Sequence, residues 1–530
     1  MDLPYLSLTN HFYYKLLSPY RLFATGIFHD LLHEKELEMK LEEDKTLYYH
    51  GTTTLSDNDR IVMANIDRLK ELKDSVIKFK DIDIGTFHFS KLYDYLPSSY
   101  DVWLSAHPSD HATIDWESID GSVLHRITKL SLSVVQDTLT IVHQLGRLTG
   151  LKSLIIQFGN PYDWQQVMFA IQNSKVEYLQ IDGHAVNCKV FAHNLHLTGL
   201  HTLRLNNCHI NDDMVVYLAN ALPDSTLKIF ELADNNIADR GAATLASMVR
   251  KSKLSSLNLN GNDITAVGLH SLCDSLPFCT LKELQIGGNR FEEEEMYYFY
   301  EKLPNSQIDY IMFRNLKAVP KEALIANIGK SNVQRMNVSI SLKNMGRLLQ
   351  AIQGSKVKSL LLRFEKDVDT GMEILSRYLP SCTLEELLIE NALGIGITNS
   401  SLIFTSLSGN KYLKFLAICE VEFCRNQVQV ISDYLQYTNL TSLRICSTNI
   451  SDEELEVLIP GILSSSLMNL NLSGNYEITL PGISHFIEGI KHSKLRNLAV
   501  PNQFEIMAKE FNREVREILG DHSLLRVEVH

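Results

Sequence analysis

The stretch "LSSLNLNGNDI", from Leu254 to Ile264, sets a pattern of apolar residues that recurs along the chain at a fixed interval. The matching stretches are "LHTLRLNNCHI" from Leu200, "LKIFELADNNI" from Leu227 and "LKELQIGGNRF" from Leu281. Each start follows the previous one by 27 residues. Recurrence at such an interval indicates a solenoid of stacked repeats.

The same frame extends through most of the chain and predicts about sixteen repeats, the last of them truncated. Their starts are Ile127, Leu151, Val176, Leu200, Leu227, Leu254, Leu281, Ile308, Val333, Val357, Leu384, Leu413, Leu440, Leu467, Leu495 and Leu524.

Each repeat is predicted to consist of one strand followed by one helix. In the strand, leucines alternate with polar residues, so one face of the strand is buried and the other is exposed. The stretch after the strand, for example "AVGLHSLCDSL" from Ala266, spaces its apolar residues by three or four, as an amphipathic helix does. Neither element can bury its apolar face alone, so neighbouring repeats must stack.

The ninth residue of a repeat is predicted to lie where the chain turns out of the strand. Backbone groups that are buried at such a turn need hydrogen-bond partners, which a side chain at this position can supply. These structural turn residues are Cys208, Asn235, Asn262, Asn289 and Asn475.

The pattern resembles the leucine-rich repeat family, specifically its ribonuclease-inhibitor-like class with long helical repeats. The resemblance covers about Ile127 to His530. It implies an α/β solenoid, or horseshoe, with a parallel sheet on the concave face and helices on the convex face. Most members of the family bind proteins through the concave face. The resemblance therefore implies a non-enzymatic interaction scaffold or sensor whose partner is another protein.

Residues 1–126 lack the repeat and are predicted to form a mainly helical N-terminal segment that caps the solenoid of residues 127–530. Helical apolar spacing runs from Leu8 to Glu43, and a second helix is expected from Ser56 to Asp74. The Leu-Pro start of "LPYLSLTNHFYYKLLSPYRLF" resembles an F-box, which would make the chain a substrate adaptor of a ubiquitin ligase. The chain also resembles an NLR-type immune receptor that lacks the nucleotide-binding P-loop.

A further alternative arises from "LYYHGTTTL", Leu47 to Leu55, which resembles the nicotinamide-site histidine motif of NAD-dependent ADP-ribosyltransferases. That family needs a histidine on the NAD ribose, a tyrosine on the nicotinamide and a later glutamate. His50, Tyr93 or Tyr95, and Glu117 are the candidates. The chain before the first repeat is too short for the two sheets of that fold. We therefore expect no catalytic residue and no cofactor.

Composition narrows the class of partner. The net charge of -13 argues against nucleic acid, which requires clustered Lys and Arg. No apolar run is long enough to span a membrane and the start does not resemble a signal peptide, so we expect no membrane partner and a cytoplasmic location. The eight cysteines contain no C-x-x-C pair, which predicts free thiols and no metal site. No small-molecule substrate is evident.

The strand frame also predicts which side chains face the concave groove, namely those two, four and six positions after each repeat start. Between the repeats at Ile308 and Leu413 these positions hold Tyr, Met, Phe and Arg, which are enriched in interface hot spots. The candidate partner-binding residues are Tyr310, Met312, Arg314, Arg335, Leu361, Arg363, Leu388 and Phe415. A register error of one residue would bury the aliphatic members and remove the patch.

Overall fold

The computed structural model describes residues 37–41, 46–51, 76–80, 101–106, 125, 127–133, 145–157, 163–183, 185–312, 321–339, 342–364, 368–391, 402–505, 508–520 and 525–529. These residues fall into two compact units. The first unit ends at Phe291 and the second begins at Glu292.

The first unit contains a sheet whose strands follow one another in chain order. They are β1 (Leu37–Leu41), β2 (Thr46–Gly51), β3 (Val76–Lys80), β4 (Asp101–Ala106), β5 (Ile127–Ser133), β6 (Ser153–Gln157), β7 (Tyr178–Asp182), β8 (Thr202–Asn206), β9 (Ile229–Glu231), β10 (Ser256–Asn258) and β11 (Glu283–Gln285). Strands β1 and β2 are antiparallel. From β2 to β11 each strand pairs in parallel with the next.

The second unit contains a sheet of the same kind. Its strands are β12 (Tyr310–Met312), β13 (Arg335–Ser339), β14 (Ser359–Phe364), β15 (Glu386–Asn391), β16 (Phe415–Cys419), β17 (Ser442–Cys446), β18 (Asn469–Asn471), β19 (Asn497–Val500) and β20 (Arg526–Val529). Every neighbouring pair is parallel.

A helix follows most of the repeat strands. The helices are α1 (Trp164–Gln172), α2 (Cys188–Asn194), α3 (Asp212–Ala221), α4 (Asp239–Val249), α5 (Ala266–Ser275), α6 (Tyr297–Lys302), α7 (Lys321–Ile328), α8 (Leu342–Ile352), α9 (Val368–Tyr378), α10 (Leu402–Leu407), α11 (Arg425–Leu435), α12 (Asp452–Ser464), α13 (Leu480–Ile490) and α14 (Ala508–Leu519). Short 3₁₀ helices lie at Leu195–Leu197, Leu276–Phe278, Glu293–Met296, Leu303–Asn305, Leu379–Ser381 and Asn502–Glu505.

The repeat frame is confirmed strand by strand. Strands β6 to β20 each begin two residues after a predicted repeat start, and β5 begins at the predicted start itself. Parallel strands alternating with helices give the α/β solenoid class that the sequence predicted. Regular recurrence of leucine was therefore sufficient to place every strand of the sixteen predicted repeats.

Alternation along each strand separates a buried face from an accessible one. In β8, Leu203 and Leu205 are fully buried, while Arg204 between them is partly exposed. The buried face packs on helices, as in the second unit, where the ring of Phe364 leaves no room for a Cβ atom at Gly371 of α9. We call the opposite face of each sheet, which carries residues such as Arg204, the helix-free face.

The described stretches of residues 1–106, β1 to β4, are strands, whereas the segment was predicted to be mainly helical. Residues 37–41 form β1, so the expectation of helical structure through Glu43 is wrong there. Leu37, Met39 and Leu41 alternate with charged residues, which is the period of a strand, and β1 pairs with β2. The parallel ladder also crosses the predicted boundary at residue 126, because β4 pairs with β5. The second predicted helix lies outside the described residues.

Aspartates at helix starts join one repeat to the next. The Asp239 carboxylate at the start of α4 accepts hydrogen bonds from the backbone N–H groups of Thr265 (2.8 Å) and Gly268 (2.9 Å) at the start of α5. Asp212 and Asp452 accept in the same way from the next repeat, each at 2.8 Å. A carboxylate there satisfies N–H groups that have no partner within the helix and favours the positive helix end.

Candidate functional site

The turn residues fix the end of each strand. Oδ1 of Asn235 accepts from the backbone N–H groups of Cys208 (3.0 Å) and Ile210 (2.9 Å) in the preceding repeat. Its Nδ2 donates to the carbonyl oxygens of Leu205 (2.8 Å) and Leu232 (3.0 Å). One buried amide therefore ties two successive turns together.

The same arrangement recurs at the other turn asparagines. Asn262 accepts from the N–H of Ile237, Asn289 from that of Ile264, and Asn475 from those of Thr448 and Ile450. Cys208 differs because its buried thiol donates to the carbonyl oxygen of Ile181 at 3.3 Å. These hydrogen bonds fix where each of these strands ends, and therefore which side chains of neighbouring strands lie opposite each other.

The helix-free face of the first unit is polar, and its side chains bond to one another. Arg204 lies 3.0 Å from the carboxylate of Glu231 and 5.4 Å from the centre of the Tyr178 ring. Burial raises the pKa of the Tyr178 hydroxyl, and that hydroxyl donates to Gln180. Asn260 donates to Oε1 of Gln285 at 2.9 Å. This face already satisfies much of its own hydrogen-bonding capacity.

The helix-free face of the second unit carries a different surface. Leu361 of β14 and Leu388 of β15 are partly exposed and lie directly opposite each other in register. Their chain neighbours Leu360, Leu362 and Leu387 are fully buried. The predicted register therefore holds at both leucines, which stand on the accessible face and not in the core.

Two aromatic residues flank these leucines. Phe415 of β16 is half-buried and pairs in register with Glu386 of β15, the strand that holds Leu388. Tyr310 of β12 is also half-buried, and the guanidinium of the exposed Arg335 lies 4.8 Å from the centre of its ring. Such a contact is attractive because the face of an aromatic ring is electron-rich.

Two of the predicted site residues are described only in part or not at all. Met312 lies in β12, but its side chain is outside the described residues, and Arg314 lies wholly outside them. The other six predicted residues stand at consecutive strands β12 to β16 on the helix-free face. We call Tyr310, Arg335, Leu361, Arg363, Leu388 and Phe415 the sheet patch.

Sequence reasoning missed the polar partners of the sheet patch. Nε of Arg363 lies 2.7 Å from Glu390 in the adjacent strand, so the charge of Arg363 is neutralised. Arg444 of β17 is exposed and forms no ion pair with any residue that the structure describes. Glu390 stands six positions after its repeat start, as Arg363 does, so strand alternation alone places the two side chains on one face of adjacent strands.

A groove lies on the helical side of the first unit. Helices α1, α2 and α3 enclose a groove of about 710 Å³ whose lining includes Lys189, His193, His196, Tyr217 and Asp224. In the part of the chain that the structure describes, no group of three or more His, Cys, Asp or Glu side chains could hold a metal ion.

The transferase candidates are only partly placed. His50 lies in β2, where its side chain is outside the described residues, and Tyr93, Tyr95 and Glu117 are also outside them. No helix within the described ranges is long and apolar enough to cross a membrane.

Comparison with known families identifies the repeat. Residues 224–246 and 250–273 match the family model described as "Leucine Rich repeat". These segments are leucine-rich repeats. Each leucine-rich repeat match includes a turn asparagine, Asn235 in the first and Asn262 in the second. Each also includes the start of a helix, α4 in the first and α5 in the second. No curated protein sequence matches the chain.

Solved structures with leucine-rich repeats are similar to this chain at low identity. An internalin (inlF) from Listeria monocytogenes is 16% identical, with a TM-score of 0.33, and the match covers 72% of this chain and 88% of that one. A TLR13–ssRNA13 complex is 14% identical, with a TM-score of 0.32, and covers 80% of this chain and 59% of that one. An internalin C2 from L. monocytogenes is 20% identical, with a TM-score of 0.28, and covers 41% and 82%.

Proposed function

We propose that this chain is a non-enzymatic scaffold or sensor that binds a protein partner through the helix-free face of its second unit. The observation that supports it is the accessible pair Leu361 and Leu388 with Phe415 beside them. Aliphatic and aromatic side chains on an accessible sheet face are stabilised when a partner removes them from water, by about 25 cal/mol per Å². A parallel sheet holds them in place before binding, so little side-chain order must be gained.

The charges around the sheet patch suggest the chemistry of the partner. Arg335 and Arg444 are exposed and form no ion pair with a described residue, whereas Arg363 is paired with Glu390. Strands β13 and β17 carry the two unpaired guanidiniums and lie four strands apart, which is about 19 Å at ordinary strand spacing. We therefore expect a partner that presents an apolar anchor flanked by carboxylates.

The proposal is tested by removing the central anchors. Leu388→Ala and Phe415→Ala should each weaken capture of a directly bound partner from native lysate by about 30-fold, which corresponds to about 2 kcal/mol. The stability of the fold should change by no more than about 1 kcal/mol, because the side chains are partly exposed. Quantitative affinity purification measures the first effect and thermal unfolding the second.

A matched control comes from the helical side of the chain. Val267 of α5 is 67% exposed and distant in sequence from the sheet patch, so Val267→Ala should leave capture unchanged. Equal loss of capture in the Val267 and Leu388 variants would contradict the proposal. A melting temperature that falls in parallel with capture would assign Leu388 and Phe415 to the core.

We also propose that the repeats belong to the ribonuclease-inhibitor-like class. Helices of ten or eleven residues, such as α3, α4 and α5, support this because that class has long helical repeats. A reducing, cytoplasmic environment is proposed on the ground that all eight cysteines are thiols.

A further inference from the structure

Two cysteines stand side by side on the helix-free face of the second unit. Cys419 of β16 and Cys446 of β17 are opposite each other in the parallel register. Their chain neighbours Ile418 and Ile445 are fully buried, so the two thiols point away from the core. Both are half-buried and neither is in a disulfide. A chemical group arriving at this face meets both sulfurs together.

The Cys446 thiol faces Cys419 across the strand pair and contacts the repeat of β18 on its other side. A hydrogen bond with the Cys446 side chain, followed by burial, raises the pKa of Cys419. Sγ of Cys446 also lies 3.3 Å from Oδ1 of Asn471 and 3.2 Å from Oγ of Ser473, both in the repeat of β18. Asn471 and Ser473 therefore hold the Cys446 thiol on the side away from Cys419.

The spacing of the strands decides which chemistry the pair can perform. In-register neighbours in a sheet lie about 4.8 Å apart, and side chains that leave the sheet in the same direction keep about that separation at Cβ. A disulfide needs Cβ atoms about 3.5–4.5 Å apart, so it requires the two side chains to converge from this separation. A metal ion bonded to two thiolates at about 2.3 Å each holds the two sulfur atoms up to about 4.6 Å apart. This is close to the Cβ separation, so both side chains can reach the ion from the existing register.

We propose that Cys419 and Cys446 form a two-coordinate site for Cu(I), a soft cation that thiolate ligands select. Binding replaces two S–H bonds with two S–Cu bonds and releases two protons to solvent, with no change in the oxidation state of copper or sulfur. The resulting bis-thiolate centre carries one negative charge. The exposed guanidinium of Arg444, on the same face of β17, offsets that charge. Zinc is a poorer fit because it takes four ligands.

The test uses the full chain and a Cu(I) complex of a chromogenic chelator, under anaerobic conditions. The wild-type chain should withdraw one Cu(I) from the chelator, and both Cys419→Ser and Cys446→Ser should lose that ion. Cys424→Ser is the matched control, because Cys424 is exposed but starts α11 and has no cysteine opposite it. This variant should keep the bound Cu(I).

The pH dependence gives a second, independent measurement. Release of two protons should make the apparent affinity rise by about 100-fold per pH unit below the thiol pKa values, after correction for the chelator. A single thiol would give about 10-fold. Cu(I) binding that survives in Cys419→Ser with an unchanged melting temperature would overturn the proposal. So would a tenfold pH slope, or an intramolecular Cys419–Cys446 disulfide formed readily with oxidised glutathione.

Discussion

At the residue scale, an asparagine amide in four of the repeats that the structure describes bonds backbone groups at a turn, where the strand ladder has ended. Asn235 is 6% exposed and satisfies backbone groups in two successive turns. The sequence predicted its role because a polar residue recurs at the ninth position beside leucines that must be buried. It also placed Cys208 at this position, but it could not predict that the thiol donates to a carbonyl of an earlier repeat, because packing creates that contact.

Removing this amide should be costly. Asn235→Ala leaves the backbone N–H groups of Cys208 and Ile210 buried without partners, which should lower the free energy of unfolding by about 3 kcal/mol. Denaturant unfolding measures the loss. Asn236→Ala is the control, because Asn236 is exposed and should change stability by less than about 0.5 kcal/mol. Similar losses in the two variants would show that the turn amide has no special role.

At the element scale, helix starts are shaped by the repeat before them. Gly268 lies near the start of α5, where a Cβ atom would stand 2.6 Å from Oδ1 of Asp239 and 2.7 Å from Cγ2 of Ile264. Glycine weakens an isolated helix by about 1 kcal/mol relative to alanine, so its presence here reflects the close approach of the preceding repeat. Helical spacing in the sequence predicted the helix but not this contact, which is between elements.

Two glycine substitutions should therefore have opposite signs. Gly268→Ala should destabilise the fold by about 2 kcal/mol, because the new methyl group displaces the Asp239 carboxylate from its hydrogen bonds. Gly346→Ala, within α8, should stabilise the fold by up to about 1 kcal/mol, because the nearest atom to its Cβ is Oη of Tyr378 at 3.4 Å. Melting temperatures of the two variants provide the comparison. A destabilised Gly346→Ala together with a neutral Gly268→Ala would refute this account.

At the scale of the whole molecule, the sequence predicted the fold better than it predicted the surface. Leucine recurrence placed the strands of all sixteen repeats, because burial of one strand face constrains every second residue. The sequence predicted only a short strand or loop around His50, where β2 lies, and it missed β1, β3 and β4, where the repeat pattern is absent. The orientation of Leu361 and Leu388 was predictable from alternation, and so was the common face of Arg363 and Glu390, whereas the 2.7 Å contact between these two depends on their side-chain conformations.

The hydrogen bonds that Asp212 and Asp239 accept from the next repeat determine which deletions the fold should tolerate. Deletion of residues 228–254 removes 27 residues. Thr265 and Gly268 would then stand as far along the chain from Asp212 as they now stand from Asp239. Asp212 would then hold them as Asp239 now does, and the shortened chain should unfold in a single cooperative transition. Deleting 26 residues instead would shift Thr265 and Gly268 by one residue relative to Asp212, so their hydrogen bonds to this carboxylate should be lost and the product should be less stable. Thermal unfolding of the two deletions distinguishes these outcomes, and equal melting temperatures would show that the aspartate hydrogen bonds do not depend on the length of the repeat.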